Sequence, residues 1–377
     1  MKRKKKIPLR LVILSDVLLT LSVLFTFCYF HHIRMLWGQS SDEVIGTVEK
    51  QEQQQETSDG IQRGIGPYSF DFSGDFAMGF PLIFLQSDEI VRLSDDKAIR
   101  EYAAENGIIL DENGECVYVS LYRSRDIFVA VSENNTRLYN PDTGASNKAQ
   151  YFVYDIYIRN IENFYTVSAE TRKPFKTLMA QGAKGGTVVA AVNGDYMGNT
   201  NHVLVSVRNG AIYRAPEMTE SDICVLYYNG VMKNYTPEEY DRAAILEGKP
   251  YQIWNFGPSL LDGEGKAITE YNTRAYDTGV VEQRNPRTAI GYYEPGHYFF
   301  LAVDGRSSDS GGATMDQLAA ICEGLGAKVA YNMDGGDSAQ AYSFDTVLRD
   351  DAQRHADGDP QRNLWDIIVI GERTENE

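Results

Sequence analysis

The sequence is poor in the residues that staple small secreted folds and in those that hold metals. Four cysteines in 377 residues cannot make a disulfide framework. Cys28 falls in an apolar run, which leaves Cys116, Cys224 and Cys322, an odd set from which no disulfide is expected. His202, His297 and His355 are scattered without ligand spacing, so no zinc site is expected either. Basic charge is scarce beyond the first ten residues, where Lys2, Arg3, Lys4, Lys5, Lys6 and Arg10 are gathered. With a formal charge of −17 for the whole chain, everything after that cluster is strongly acidic. This argues against nucleic acid as a partner, because binding a phosphate backbone needs a basic face.

One long apolar run is present. Residues 11–30, LVILSDVLLTLSVLFTFCYF, are interrupted only by Asp16 and a few hydroxyls, and a helix of that length spans roughly 30 Å. The preceding basic cluster predicts a cytoplasmic N-terminus, with everything after Phe30 outside. His31-His32-Ile33-Arg34-Met35 offers no small-x-small cleavage site, which favours an uncleaved anchor over a signal peptide. Residues 1–38 therefore read as a basic stub and single-pass anchor in the cell membrane. Residues 39–66, centred on EKQEQQQETSDG, read as a flexible acidic linker. The rest carries enough apolar content, 43% hydrophobic against 24% charged over the chain, to bury a globular core.

Within that core the pattern is sheet-rich. Residues 67–150 form an N-terminal segment in which SDDKAIREYAAENG predicts a short helix stopped at Gly107, and Asn113-Gly114 predicts a hairpin turn. From residue 151 onward, YFVYDIYIRNI alternates as a strand, and Asn209-Gly210 and Asn229-Gly230 mark two more hairpins. Helices are few. KPFKTLMAQGAKGG leads into the buried run TVVAAVNGDYMG, and Thr314-Met315-Asp316-Gln317 has capping-box spacing before LAAICEGL, with Gly326 as the stop. The fold class expected is α/β of the α+β kind: a mixed, largely antiparallel sheet core with a few helices, preceded by one transmembrane helix. Residues 151–377 are its main domain.

Three apolar runs end in polar loops: Asn193-Gly194-Asp195, Asp304-Gly305-Arg306 and Asp334-Gly335-Gly336-Asp337-Ser338. Any one alone is most often just a turn. Three in one domain, with Arg284 and Arg287 beside them in RNPRTAIG, suggest strand ends gathered at a site, with the Asp304 and Asp334 loops as neighbouring strand ends. Trp254 and Phe256 are open between stacking on a sugar face and simple burial.

The stretch RNPRTAIGYYEPGHYFFLAVDGRSSDSGGATMDQLAAICEGLGAKVAYNMDGGDSAQ resembles the signature half of the phosphodiester glycosidase family. VNGDYMG, VRNGAIYR and WNFGPSLLDGEGKAI, upstream and in that order, are similar to the family as well, and the resemblance covers about residues 151–371. It implies a domain that hydrolyses a sugar-1-phosphodiester in an envelope glycopolymer or glycan cap, with no cofactor required. Such a reaction passes through an oxocarbenium-like state that a carboxylate must meet, which makes Asp304 and Asp334 the expected catalytic residues. The departing phosphate needs its charge held, a task for Arg287 and Arg306 and for backbone N–H groups at Gly335 and Gly336. Asn193 and Ser338 suit hydroxyl recognition on the sugar, Gly194 and Asp195 join them in the expected substrate-binding set, with Asp195 open to a turn-capping role, and Arg362 matches an arginine that the family carries near the pocket.

One departure stands inside the most diagnostic motif. Where the family shows a glycine run followed by two serines, this chain has Gly336-Asp337-Ser338-Ala339. Asp337 would obstruct and repel a phosphate, or, with Asp304 and Asp334, supply an oxygen set for a divalent cation such as Ca or Mg. Two alternatives stay open: a non-catalytic protein that binds envelope glycopolymer or organises its export, and a metal-dependent phosphoesterase.

Overall fold

The computed structural model describes residues 46–47, 85, 87–106, 118–139, 144–195, 204–271, 281–344, 346–349 and 362–373. The apolar run 11–30 and the turn at Asn113-Gly114 lie outside the described residues, and no helix among those described is long and apolar enough to cross a membrane. In chain order the first half holds β1 (Gly46–Thr47), β2 (Val91–Leu93), α1 (Asp96–Asn106), β3 (Tyr118–Arg123), β4 (Ile127–Tyr139), β5 (Ser146–Ile158), β6 (Phe164–Lys173), α2 (Phe175–Gly182) and β7 (Gly186–Asn193). There follow β8 (Ser206–Arg208), β9 (Ala211–Arg214), β10 (Ile223–Tyr227), β11 (Met232–Tyr235), α3 (Arg242–Glu247) and β12 (Pro250–Trp254). The second half adds β13 (Arg287–Glu294), β14 (His297–Val303), α4 (Met315–Gly324), β15 (Val329–Asn332), β16 (Ala341–Ser343), β17 (Thr346–Arg349) and β18 (Leu364–Arg373).

The strands form three antiparallel sheets, ordered β1-β9-β8-β12-β10-β11, β15-β13-β14-β5-β4-β3-β2 and β17-β16-β7-β18-β6. All three contribute to one core. Ile156 and Phe300 come from the seven-stranded sheet, Phe164 and Ile368 from the five-stranded, and Leu226 and Trp254 from the six-stranded. Phe164 sits at their meeting point, with its ring 5.6 Å from Phe300 and 5.7 Å from Trp254 between centroids. Trp254 is fully buried there, which settles its role as packing. The chain is thus an α+β protein dominated by antiparallel sheet, with helices on outer faces.

Local sequence explains the layers. The run HYFFLAV is apolar on both sides because β14 is covered twice: Tyr298, Phe300 and Ala302 face the shared core, while Phe299, Leu301 and Val303 face α4. That helix begins as its capping box requires, with the Thr314 hydroxyl accepting from Gln317 N at 3.2 Å and the Gln317 side chain accepting from Thr314 N at 3.0 Å. At the β8–β9 turn Asn209 and Gly210 take φ of 52° and 80°, the left-handed pair that a tight hairpin needs. α2 covers the outer face of the five-stranded sheet through Phe175 and Leu178.

Three expectations change. Residues 39–66 are not spacer throughout, since Gly46 and Thr47 pair with Ile212 and Ala211 and add an edge strand to the six-stranded sheet. The boundary expected at residue 151 falls inside β5, whose partners β4 and β14 lie on opposite sides of it in sequence, so β3, β4 and β13–β15 share one sheet. Finally, β14 and β15 are not neighbours. Both pair antiparallel with β13, so they run parallel with β13 between them, and their C-terminal loops leave the same edge about 10 Å apart.

Candidate active site

Where the five-stranded sheet meets the β15 loop, a small cleft opens. It is lined by Arg172, Gly194, Asp195, Asp334, Ser338 and residues 362–366. Asp334 is 7% exposed and its Oδ1 accepts from Gly335 N at 2.8 Å. Burial pushes its carboxyl up to about 6, against the opposing pull of Ser338, Arg362, the Gly335 N–H and Arg172. The cleft therefore holds a carboxylate that titrates near neutrality beside two guanidinium groups. Arg172 lies 5.6 Å from the centroid of the Trp365 ring, a cation–π distance, at the cleft wall.

The wall is fixed from within by Asn193. Its Nδ2 donates to the Asp334 carbonyl at 2.6 Å, and its Oδ1 accepts from Thr288 Oγ1 at 2.7 Å and from Gln340 N at 3.2 Å. Fully buried and bonded on both ends, Asn193 is a clasp between β7, β13 and the loop after β15 rather than the sugar-contacting group expected of it. Gly194 follows for a steric reason: a Cβ there would lie 2.1 Å from Asp366 Oδ1. Its carbonyl takes the N–H of Asp334 at 3.3 Å, and its own N–H goes to the Asp366 carbonyl at 3.0 Å.

Asp195 belongs to a buried charge cluster behind the cleft that the sequence reading did not anticipate. Arg208 Nη2 lies 2.6 Å from Asp195 Oδ1 and 3.0 Å from Asp366 Oδ2, with all three side chains at most 2% exposed. Asp195 also takes the N–H of Asn255, and Asp366 takes that of Asp195. Burial raises the Asp366 carboxyl, Asp195 raises it further, and Arg208 opposes both. The signal for Arg208 lay in VRNGAIYR, where the turn residues draw attention away from the arginine before them. Arg172 was likewise hidden in the polar end of β6.

Of the other expected residues, Arg362 lines this cleft, and Asp304, Arg287, Arg306, Gly335 and Gly336 do not. Asp304 is 1% exposed at the end of β14, accepting from Gly305 N at 2.7 Å, and does not line it. Arg287 is turned away: Nε donates to the Ala313 carbonyl at 3.1 Å and Nη2 to that of Gln283 at 2.8 Å. Held by these two loop carbonyls and absent from the cleft lining, Arg287 braces two loops; burial, with Arg306 adding to it and Tyr271 opposing, lowers its guanidinium to about 10. Gly335 packs against Pro286, leaving 2.8 Å between a hypothetical Cβ and the Pro286 carbonyl, and Gly336 N donates to the same carbonyl at 2.9 Å. Arg306 reaches over Gly336 to Asp337, and Arg362 meets Asp337 from the cleft side. With Asp337 so paired and Asp304 across β13, no three of His, Cys, Asp and Glu gather into a metal-holding group among the described residues. The cation set Asp304, Asp334 and Asp337 is not assembled.

Residues 186–370 match the family model for phosphodiester glycosidase. The chain is 27% identical over 168 residues to the SPbeta prophage-derived uncharacterized protein YomE of Bacillus subtilis (strain 168), covering 44% of this chain and 26% of that one. It thus spans about a quarter of the length of that relative. The fold is similar to the catalytic domain of zebrafish N-acetylglucosamine-1-phosphodiester alpha-N-acetylglucosaminidase, auto-inhibited by its pro-peptide, with a TM-score of 0.53 and 17% identity over 65% of this chain and 84% of that one. A hypothetical protein from Synechocystis aligns with a TM-score of 0.45 and 13% identity over 66% and 62% of the two chains. Asp334, Ser338, Arg362 and Asp366, with the strands that carry them, fall within residues 186–370, and that part of the chain belongs to the phosphodiester glycosidase family.

Proposed function

We propose that this protein hydrolyses the bond between the anomeric carbon of a sugar and a phosphodiester in an envelope glycopolymer or glycan cap. We place it outside the cell, held to the membrane by residues 11–30. The observation that carries the reading is Asp334, a buried carboxylate held in a cleft beside Arg362 and Arg172, within a phosphodiester glycosidase domain. In the reaction the C1–O bond breaks, water supplies the oxygen that joins C1, and the phosphate leaves as a monoester carrying the bridging oxygen. Ionised Asp334 meets the positive charge that grows on the sugar. Arg362 and Arg172 hold the charge that grows on the departing phosphate, and Ser338 orients the substrate. Asp304 acts at one remove, by fixing the loop that carries Arg306.

The full chain in detergent, given a panel of sugar-1-phosphodiesters in ¹⁸O-water, is expected to release free sugar labelled at C1. Asp334→Asn is expected to lower kcat by about a thousandfold. Because ionised Asp334 is required, kcat is expected to rise with pH through about 6. Label in the phosphate would point to P–O cleavage and a phosphoesterase instead. Glycopolymer binding without release of any sugar would leave the protein a binding module.

A further inference from the structure

Asp337 stands between two arginines that come from distant parts of the chain. Arg306 Nη1 lies 2.5 Å from its Oδ1, and Arg362 Nη2 lies 3.6 Å from its Oδ2. Arg306 holds its place with a left-handed φ of 59° and a second bond, from Nη2 to Asn285 Oδ1 at 2.9 Å. Arg362 turns its other nitrogen, Nη1, to the Ser338 hydroxyl at 3.4 Å, inside the cleft. The side chains are 48%, 34% and 43% exposed for Arg306, Asp337 and Arg362, so the trio is open to solvent, and it adjoins the cleft through Arg362, which lines it. A carboxylate between two guanidinium groups has the geometry of a bound anion, here supplied by the protein itself.

We infer that Asp337 is an internal counter-ion that sets the charge of the ligand this arginine pair accepts, favouring a singly charged phosphodiester over a doubly charged phosphomonoester. The inference rests on the reading of the cleft as a site for a phosphate-bearing ligand. Two guanidinium groups alone present a charge of +2, the match for a monoester, whose second proton is lost with a pKa near ~6. With Asp337 between them the trio carries +1, the match for a diester, and Arg172 with ionised Asp334 in the adjoining cleft adds no net charge. A dianion entering the same place meets a fixed negative charge a few ångströms away, which in a half-solvated site is worth roughly a factor of ten in affinity. In the reaction proposed above the substrate is the diester and one product is the monoester. The carboxylate that tempers substrate binding thus hastens departure of the product.

The test is equilibrium binding, independent of turnover. Methyl phosphate and dimethyl phosphate are titrated into the full chain in detergent at pH 8 and low salt, followed by ³¹P relaxation. Asp337→Asn is expected to tighten methyl phosphate about tenfold and dimethyl phosphate by about threefold or less. Asp337→Glu is expected to keep the wild-type ratio, and Asp337→Asn combined with Arg306→Gln, which restores +1, is expected to return toward it. Asp337→Ala repeats the measurement should the asparagine variant fold poorly. An unchanged ratio in Asp337→Asn and Asp337→Ala, a loss of both affinities, or no binding of either ligand overturns the inference. Sugar release with an unchanged ratio removes this inference and leaves the proposed reaction standing; a shifted ratio without sugar release does the reverse.

Discussion

Asp334 shows what a buried carboxylate costs a fold. An ordinary carboxyl near 3.8 is pushed up to about 6 in the cleft, chiefly by burial. Between those two pH values the folded protein holds a proton that the unfolded chain has lost, so stability falls as pH rises from about 4 to about 6 and stays lower above. The full penalty at neutral pH is on the order of 3 kcal/mol. Asp334→Asn removes the charge while keeping an acceptor for the Gly335 N–H. It is therefore expected to raise the melting temperature at pH 7.5 and to give no gain at pH 4.5, where the wild-type carboxyl is already protonated. Thermal melts of both proteins at the two pH values check this, and an equal gain at both would assign the effect to packing. The proposed activity and stability then pull this side chain in opposite directions.

At the scale of elements, Arg208 is a tie between sheets. It projects from β8 in the six-stranded sheet to Asp195 after β7 and to Asp366 on β18, both in the five-stranded sheet. Arg208→Gln leaves two buried carboxylates facing each other without a cation. A loss of about 3–5 kcal/mol in urea unfolding is expected, larger at pH 8 than at pH 5, where protonation of Asp366 relieves the repulsion. Such ties were the least legible part of the sequence. Local devices could be read directly: the Thr314 capping box, the Asn209-Gly210 and Asn229-Gly230 turns, and the twice-covered run of β14 each depend on residues a few places apart. The insertion of β13 between β14 and β15 could not, because a strand's apolar run does not record which strands pair on its two edges. The site followed the same division. Asp334, Gly194 and Ser338 were found from their strand-end loops and Arg362 from the family resemblance, whereas Arg172 and Arg208 were not singled out and join the cleft region only through tertiary pairing.

The whole molecule carries −17, yet Arg172 and Arg362 line its cleft, where the proposed ligand is an anion. Local cations must therefore outweigh a repelling surround, over distances set by salt. The proposed anchor is tested at this scale. After alkaline carbonate washing the full chain is expected to stay with the membranes, and a chain starting at residue 39 to pass into the supernatant; release of the full chain would remove the anchor from the proposal.

The central place of β18 has a further consequence, for biosynthesis. Residues 364–373 pair with β7 on one side and β6 on the other, in the middle of the five-stranded sheet. Both partners are made almost two hundred residues earlier. During synthesis they wait with bare edges, and Asp195 and Arg208 wait without Asp366. The cleft, whose wall includes residues 362–366, is thus completed only after β18 has been delivered to its slot, so the proposed activity is expected to arise only once this C-terminal strand is in place.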